Sequence, residues 1–278
     1  MSLTLLPTRP LGSTGVQVSI LGLGGEGVLR TFGYEREAQA VIAAALEAGI
    51  TYFESARAYS GSEGYLGRGL KGHRGRIFLT SKSHARSRRE AEDHLAQTLR
   101  NLQTDHLDLW QVHDVRTRED LEELSRSGGA LEVFRWAKEE GYTRFVGVTG
   151  HHDPEILRRA LELFPFDTVL LPVNPAEPAD RSFLPLAREA RERGLGVVGM
   201  KVLARGLAPQ LGLASVRDYL HYALSQPVSL VVVGADDPEQ VRELAAAAGD
   251  YQPLSPEEQL RLETAMIPFS RGLMYYKP

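Results

Sequence analysis

Ile77-Phe78-Leu79-Thr80-Ser81-Lys82 is a short β-rich run, Ser87–Leu102 is patterned as a helix, and Leu107-Asp108-Leu109-Trp110-Gln111-Val112-His113 is β-rich again. Strand, long helical stretch, strand is the pattern of parallel strands joined by a crossover. The chain repeats it. Further β-rich runs fall near Ile20–Leu23, Thr51–Phe53, Phe145–Val148, Thr168–Leu171, Val197–Met200 and Leu230–Val233, making eight with the first two. Helical patterns fill the gaps. Glu35–Ala48 carries Ala38, Val41, Ile42, Ala45 and Leu46 on one stripe and ends before Gly49. Ser87 with Glu90 fits a capping box. Asp153-Pro154 and Asp237-Pro238 each place a capping carboxylate before a proline at the first helical position. Eight strand–helix units predict an α/β fold, a (β/α)₈ TIM barrel.

Two additions flank the repeats. Arg9–Leu11 and Val16–Ser19 enclose Gly12-Ser13-Thr14-Gly15, which reads as an N-terminal β-hairpin able to close the barrel bottom. Ser255-Pro256-Glu257-Glu258 starts an extra C-terminal helix, and the tail beyond it brings Phe269, Tyr275 and Tyr276 to fold over the rim. With 278 residues and no linker-like or low-complexity stretch, residues 1–278 are expected to form one barrel domain.

Composition narrows the function. Hydrophobic residues make up 42% and charged residues 24%, ordinary for a globular enzyme with a sizeable core. A net charge of −4 and the lack of a basic block argue against a nucleic-acid partner. The run Arg86-Ser87-Arg88-Arg89 is short, flanks a helix start and reads as a solvated face. Having no cysteine excludes disulfides, thiol nucleophiles and cysteine-held metals. Apolar strings such as Ser229 to Val233 are far too short to cross a bilayer, and Met1-Ser2-Leu3-Thr4 lacks the regions of a signal peptide. A cytoplasmic protein with no membrane partner is expected; the sequence does not set an oligomeric state.

In a barrel, residues just beyond the C-terminal strand ends face one mouth. Glu54 and Tyr59 follow the second strand, Lys82 the third and His113 the fourth. A carboxylate, a phenol, an ammonium and an imidazole at one rim can polarise a carbonyl and deliver a proton to it. A free tyrosine has a pKa of about 10, and a nearby ammonium lowers it. Lys82 is the candidate cation, Glu54 the carboxylate that holds it, Tyr59 the proton donor, and His113 the group that hydrogen-bonds the carbonyl oxygen. Taken singly, each has a plainer reading as packing or a surface ion pair. Four together at consecutive strand ends favour chemistry.

At this point the chain resembles the aldo-keto reductases. Arg9–Gly25 resembles that family's opening hairpin and first strand; Phe53–Tyr59, with Gly61-Ser62-Glu63 and Leu66-Gly67, resembles its Asp-Thr-Ala-x-x-Tyr-Gly segment. Leu79–Lys82 and Leu107–His113 resemble the strands ending in the catalytic lysine and histidine. Gly147-Val148-Thr149-Gly150, Val197–Lys201 and Val232–Ala235 continue the likeness over nearly the whole chain. The resemblance implies NAD(P)H-dependent reduction of a small carbonyl substrate, an aldehyde or ketone, with Tyr59 as general acid and Glu54, Lys82 and His113 as the other catalytic residues. It implies cofactor contacts at Gly24, Gly25, Thr149, Gly150, Asn174, Met200, Lys201, Val202, Leu203, Gly234, Ala235, Asp236 and Gln240.

Three departures from the family carry expectations of their own. Glu54 stands where the family has Asp, which moves the carboxylate by about 1.5 Å, the length of one C–C bond. Thr149-Gly150 replaces the family's Ser-Asn, which leaves Asn174 to hold the nicotinamide amide; Gly150-His151 resembles a bacterial branch of the family. After the eighth strand, Gly234, Gln240 and Leu244 stand where the family grips the adenosine 2′-phosphate with Lys, Arg and Asn, and Asp236 and Asp237 are nearby. The cofactor expected is NADP or NAD, with the usual NADP preference weakened because negative charge near a phosphate is unfavourable.

Other motifs compete. Gly22-Leu23-Gly24-Gly25-Glu26-Gly27 matches G-x-G-x-x-G, but no helix opens at the third glycine, so it reads as a flat turn at the barrel mouth. His151-His152-Asp153 could ligate a metal, but adjacent histidines usually point apart and Asp153 is a good N-cap, so no metal is expected. Lys201 could form a Schiff base, yet no second acid accompanies it, and Ser225 and Ser229 lack a nucleophile elbow. The loops and tail that carry Glu26, Leu29, Phe32, Val115, Arg205 and Tyr275 would set substrate choice. The alternative function is a redox-inactive, nucleotide-binding barrel with a sensing or assembly role.

Overall fold

The computed structural model describes residues 6–277. The hairpin is β1 (Thr8–Pro10) and β2 (Gln17–Ser19), paired antiparallel. Eight parallel strands follow: β3 (Leu21–Gly27), β4 (Tyr52–Glu54), β5 (Phe78–Ser83), β6 (Leu107–Val112), β7 (Thr143–Thr149), β8 (Thr168–Pro172), β9 (Gly196–Met200) and β10 (Leu230–Ala235). They close into a barrel in sequence order, with β10 pairing β3. The fold is the (β/α)₈ barrel that the strand–helix rhythm predicts.

Alternation along each strand explains both the core and the site. Successive side chains on a strand point to opposite faces. Phe53, Leu79, Trp110, Val112, Val146 and Val148 face outward and pack in the large cluster beneath the helices. Tyr52, Phe78, Leu109, Leu170, Val198, Leu230 and Val232 face inward and form a separate cluster inside the barrel. Tyr52 stacks on Phe78 at 5.4 Å, and Phe78 on Phe145 at 6.3 Å. Burying each ring contributes roughly 2 kcal/mol. Two residues further along each strand, the same inward face reaches the rim. It carries Glu54 above Tyr52, Lys82 above Phe78 and Thr80, and Thr149 above Gly147.

The hairpin fills the opposite end. Leu11 and Val18 are fully buried members of the inner cluster. Gly12, at φ +54°, lies against the start of β9: a Cβ there would stand 2.3 Å from the Gly196 nitrogen. With the bottom plugged, the open space is at the C-terminal ends of the strands.

The helix caps follow the sequence closely. Asp153 accepts from Glu155 N at 2.8 Å and Asp237 from Gln240 N at 2.9 Å. Ser255 and Glu258 form a reciprocal capping box at the head of the extra helix, Pro256–Met266. Ser87 accepts from Glu90 N, the half of the expected box that the structure shows. One reading of local shape changes. The glycine-rich segment is not a turn: β3 runs straight through it to Gly27, whose φ of +66° ends the strand against the backbone of Ala235.

Among the described residues no helix is long and apolar enough to cross a membrane. The tail after the last long helix is tied to the loop beyond β8. Ser270 Oγ donates to Ala176 O at 2.7 Å, and Lys277 Nζ pairs with Glu177 Oε1 at 3.1 Å.

Candidate active site

A cavity of about 1080 Å³ opens at the C-terminal strand ends. Glu54, Tyr59, Lys82 and His113 all line it. Lys82 is 1% exposed, and its Nζ lies 2.7 Å from Glu54 Oε1 while donating to Ser55 O at 2.9 Å. The same Nζ stands 5.0 Å from the centroid of the Tyr59 ring. His113 meets that ring edge-on at 5.9 Å. The glutamate's extra methylene is therefore accommodated: carboxylate, ammonium, phenol and imidazole converge.

A buried charge needs its partner fixed, and backbone pairing supplies the fixing. Ser55 N donates to Thr80 O and Arg57 N to Lys82 O, both at 2.9 Å, stitching the Tyr59 loop to β5. The helix Ser62–Gly69 behind it is held by Glu63, a 1%-exposed carboxylate. Glu63 accepts from Ser81 Oγ at 2.8 Å, Thr98 Oγ1 at 2.7 Å, Asn101 Nδ2 at 3.0 Å and Arg57 Nη1 at 2.6 Å. Nothing in the local sequence marked Glu63 as the anchor, because its partners come from three separate elements.

The electrostatics differ from expectation at Tyr59. Burial, with Glu54 and Glu26 close by, raises the phenol well above its ordinary pKa; Arg30 opposes this, and the lowering expected from Lys82 is overridden. Tyr59 is a protonated phenol here. Burial and the Lys82 ammonium hold His113 well below its usual value, so its imidazole is neutral.

Glu26 is the neighbour that sequence reading left vague. It follows Gly22 and Gly24 on the inner face of β3 and pairs with Arg30 at 2.6 Å and Arg205 at 3.9 Å. Burial works against its charge, but Lys201, Arg30 and Arg205 keep the carboxyl below the usual range. Arg30 lies over the Tyr59 ring at 5.1 Å and Arg205 over Tyr275 at 5.0 Å.

The cofactor positions divide in two. Gly24, Thr149, Met200, Lys201, Val202, Leu203, Gly234, Asp236 and Gln240 line the cavity. Gly25, Gly150, Asn174 and Ala235 do not. Gly25 is pressed against its neighbours: a Cβ there would stand 2.4 Å from Ser62 Oγ. Asn174 is buried with its side chain engaged, donating to Tyr276 Oη at 3.0 Å and accepting from Ala176 N at 3.0 Å. Thr149 Oγ1 accepts from Asp114 N at 2.8 Å, which leaves its own hydroxyl proton to give. A Cβ on Gly234 would stand 2.9 Å from the Glu26 carbonyl carbon, so a lysine at this position cannot fit without moving β3.

Residues 21–217 match the family described as Aldo/keto reductase family. The chain is 28% identical to L-galactose dehydrogenase of Arabidopsis thaliana over 95% of both proteins. It is 27% identical to the aldo-keto reductase yakc [NADP(+)] of Schizosaccharomyces pombe, over 72% of this chain and 62% of that one. The fold superimposes on the aldo-keto reductase AKR11C1 of Bacillus halodurans with a TM-score of 0.79 and 25% identity, covering 93% of this chain and 96% of the other. With its barrel, its rim residues and these likenesses in agreement, the chain belongs to the aldo/keto reductase family of NAD(P)-dependent oxidoreductases.

Proposed function

We propose that the protein reduces aldehydes or ketones with a nicotinamide cofactor, Tyr59 giving the proton and His113 hydrogen-bonding the carbonyl oxygen. The observation that carries this is the position of Lys82 Nζ, 2.7 Å from Glu54 and 5.0 Å from the Tyr59 ring centroid, inside one cavity with His113. The cofactor supplies the hydride. As the hydride reaches the carbonyl carbon, negative charge grows on oxygen, and a phenol and an imidazole N–H aimed there stabilise it and complete the alcohol. Lys82 then holds the phenolate left behind. The raised phenol pKa suits this direction, because the acid is loaded before the hydride moves.

The cavity fits a dinucleotide along its floor. Gly24 and Gly234 bring no side chain to the lining, Met200 adds an apolar one, and the Thr149 hydroxyl can donate to the amide of the nicotinamide. Lys201 is a cation in the same lining that can pair with the cofactor's phosphates. The far end, with Asp236, Gln240 and Glu243, favours NAD over NADP, although one relative is named for NADP(+).

The substrate proposed is polar. Glu26, Arg30, Arg116 and Arg205 ring the mouth, and a hydroxylated carbonyl compound suits that lining better than an alkyl aldehyde. Similarity to an enzyme named for a sugar supports the same class. Loss of NADH or NADPH absorbance with a panel including nitrobenzaldehyde, methylglyoxal and short aldoses tests the reading. Tight nucleotide binding with no turnover across the panel would instead favour a redox-inactive barrel.

A further inference from the structure

The loops after β6 and β7 meet at one edge of the cavity, where Asp114, His151 and His152 all line it. One ligand atom from each lies within 4.8 Å of the others. His151 Nδ1 stands 3.3 Å from Asp114 Oδ1. Both atoms are buried, and neither makes a hydrogen bond. Two donor atoms this close, without a proton aligned between them, have the spacing of neighbouring ligands on one ion. Ligands about 2.0–2.1 Å from a tetrahedral centre stand roughly 3.3 Å apart.

The surroundings hold this arrangement. Asp114 has φ +57°, with its amide donating to Thr149 Oγ1 at 2.8 Å. Arg116 Nε occupies the other carboxylate oxygen, Oδ2, at 2.6 Å and leaves Oδ1 turned toward His151. The two histidine rings do not diverge as adjacent residues on a loop usually do: their centroids are 5.1 Å apart and their planes 37° apart. Asp153, the carboxylate next to them in sequence, is occupied as a helix cap. Asp114, contributed by a different loop, takes its place. No local motif could have shown this.

We propose that Asp114, His151 and His152 form a binding site for a divalent first-row transition-metal ion, with zinc as the best match. Two imidazoles and one carboxylate are borderline donors that suit Zn²⁺ and its neighbours better than Mg²⁺ or Ca²⁺, which take all-oxygen shells. The remaining coordination positions open to the cavity, so an oxygen of a bound ligand or water completes the shell. The site stands independently of the carbonyl reductase reading.

The test uses the full-length protein, stripped with a strong chelator and titrated with cobalt(II) chloride as a visible probe. One equivalent should bind with intense d–d absorption, and zinc should displace it. Asp114→Asn and His151→Gln should each weaken binding by about 100-fold or more, and His152→Gln, at the more open position, by about tenfold. His94→Gln serves as a control, because His84, Glu90 and His94 form a second, more exposed group of possible ligands. Cobalt lost with His94 but kept in His151→Gln would place the ion at the wrong cluster and overturn the proposal. Absence of the d–d bands in the wild-type protein at millimolar cobalt would overturn it too, whatever the variants do. Thermal melts of each variant without metal identify any that misfold, and His152→Gln, being partly exposed, keeps the assignment testable if the buried pair does not tolerate change.

Discussion

The two flanks of the cavity are built on different principles. On the flank of β4 and β5 the charges beside and behind Tyr59 are paired: buried Lys82 with Glu54, and buried Glu63 behind them with the half-buried Arg57. On the flank of β10 and the helix Pro238–Gly249, the lining consists of Val232, Val233, Gly234, Asp236, Gln240, Glu243 and Leu244, with no cation among the described residues. Chemistry at a carbonyl needs groups fixed to within a fraction of an ångström, and buried pairs supply that. Recognition of a nucleotide's far end needs only complementary charge, which single substitutions on an exposed helix can change. The first flank should break when altered, whereas the second should shift.

The largest expected effect is on the first flank. Tyr59→Phe removes the proton-donating hydroxyl and keeps the ring, so kcat should fall by about 10³-fold. Cofactor dissociation constants, read by quenching of protein fluorescence, should stay within about threefold. If turnover survives, the proton comes from elsewhere. A pH profile sharpens the point. An acid with a raised pKa stays protonated until pH climbs through that value, so reduction should show no loss between neutral pH and about pH 10.

Next is Glu63→Ala. It leaves Arg57 half-buried without its partner and strips Ser81, Thr98 and Asn101 of an acceptor. The loss should be about 3 kcal/mol of stability in urea unfolding. A change near zero would mean that the Tyr59 loop is held well enough by its backbone bonds to β5 and by the Ser55–Ser62 and Arg57–Gln97 hydrogen bonds.

On the second flank, Gln240→Arg should improve discrimination in favour of NADPH by about tenfold, or roughly 1.4 kcal/mol, read as the ratio of KM values. Wild-type protein should prefer NADH. A strong wild-type preference for NADPH would show that some other cation reaches the 2′-phosphate. Gly234→Lys is not an equivalent route, because its Cβ would meet the backbone of Glu26.

How far the sequence reveals these features depends on how local they are. The strands were legible because apolar β-rich runs alternate with helical stripes. The rim residues then followed from position, since a period of two carries Tyr52 to Glu54 and Phe78 to Lys82. What escaped was everything assembled across elements. Glu63 gathers partners from β5, the Tyr59 loop and the helix Arg88–Leu102. Asn174 was assigned to the nicotinamide amide, yet Tyr276, about a hundred residues later in the chain, engages its amide group. His151 and Asp114 meet only because two loops do. Tyr59 shows the limit for electrostatics. Its neighbours could be named from sequence, but the depth of burial that decides the sign could not.

The smallest expected effect tests the comparison most closely. Glu54→Asp restores the family's residue and shortens the side chain by about 1.5 Å. If the first flank were rigid at every point, the 2.7 Å bond to Lys82 would stretch to about 4 Å and activity would collapse. Yet Lys82 is also held by Ser55 O at 2.9 Å, and this second tether fixes the ammonium beside Tyr59 even when the carboxylate retreats. Turnover should therefore stay within about tenfold of wild type, with a modest loss of stability from the looser buried pair. A collapse would show that Glu54 alone positions Lys82, which would make the backbone carbonyl a bystander and the tetrad geometry argued from it wrong.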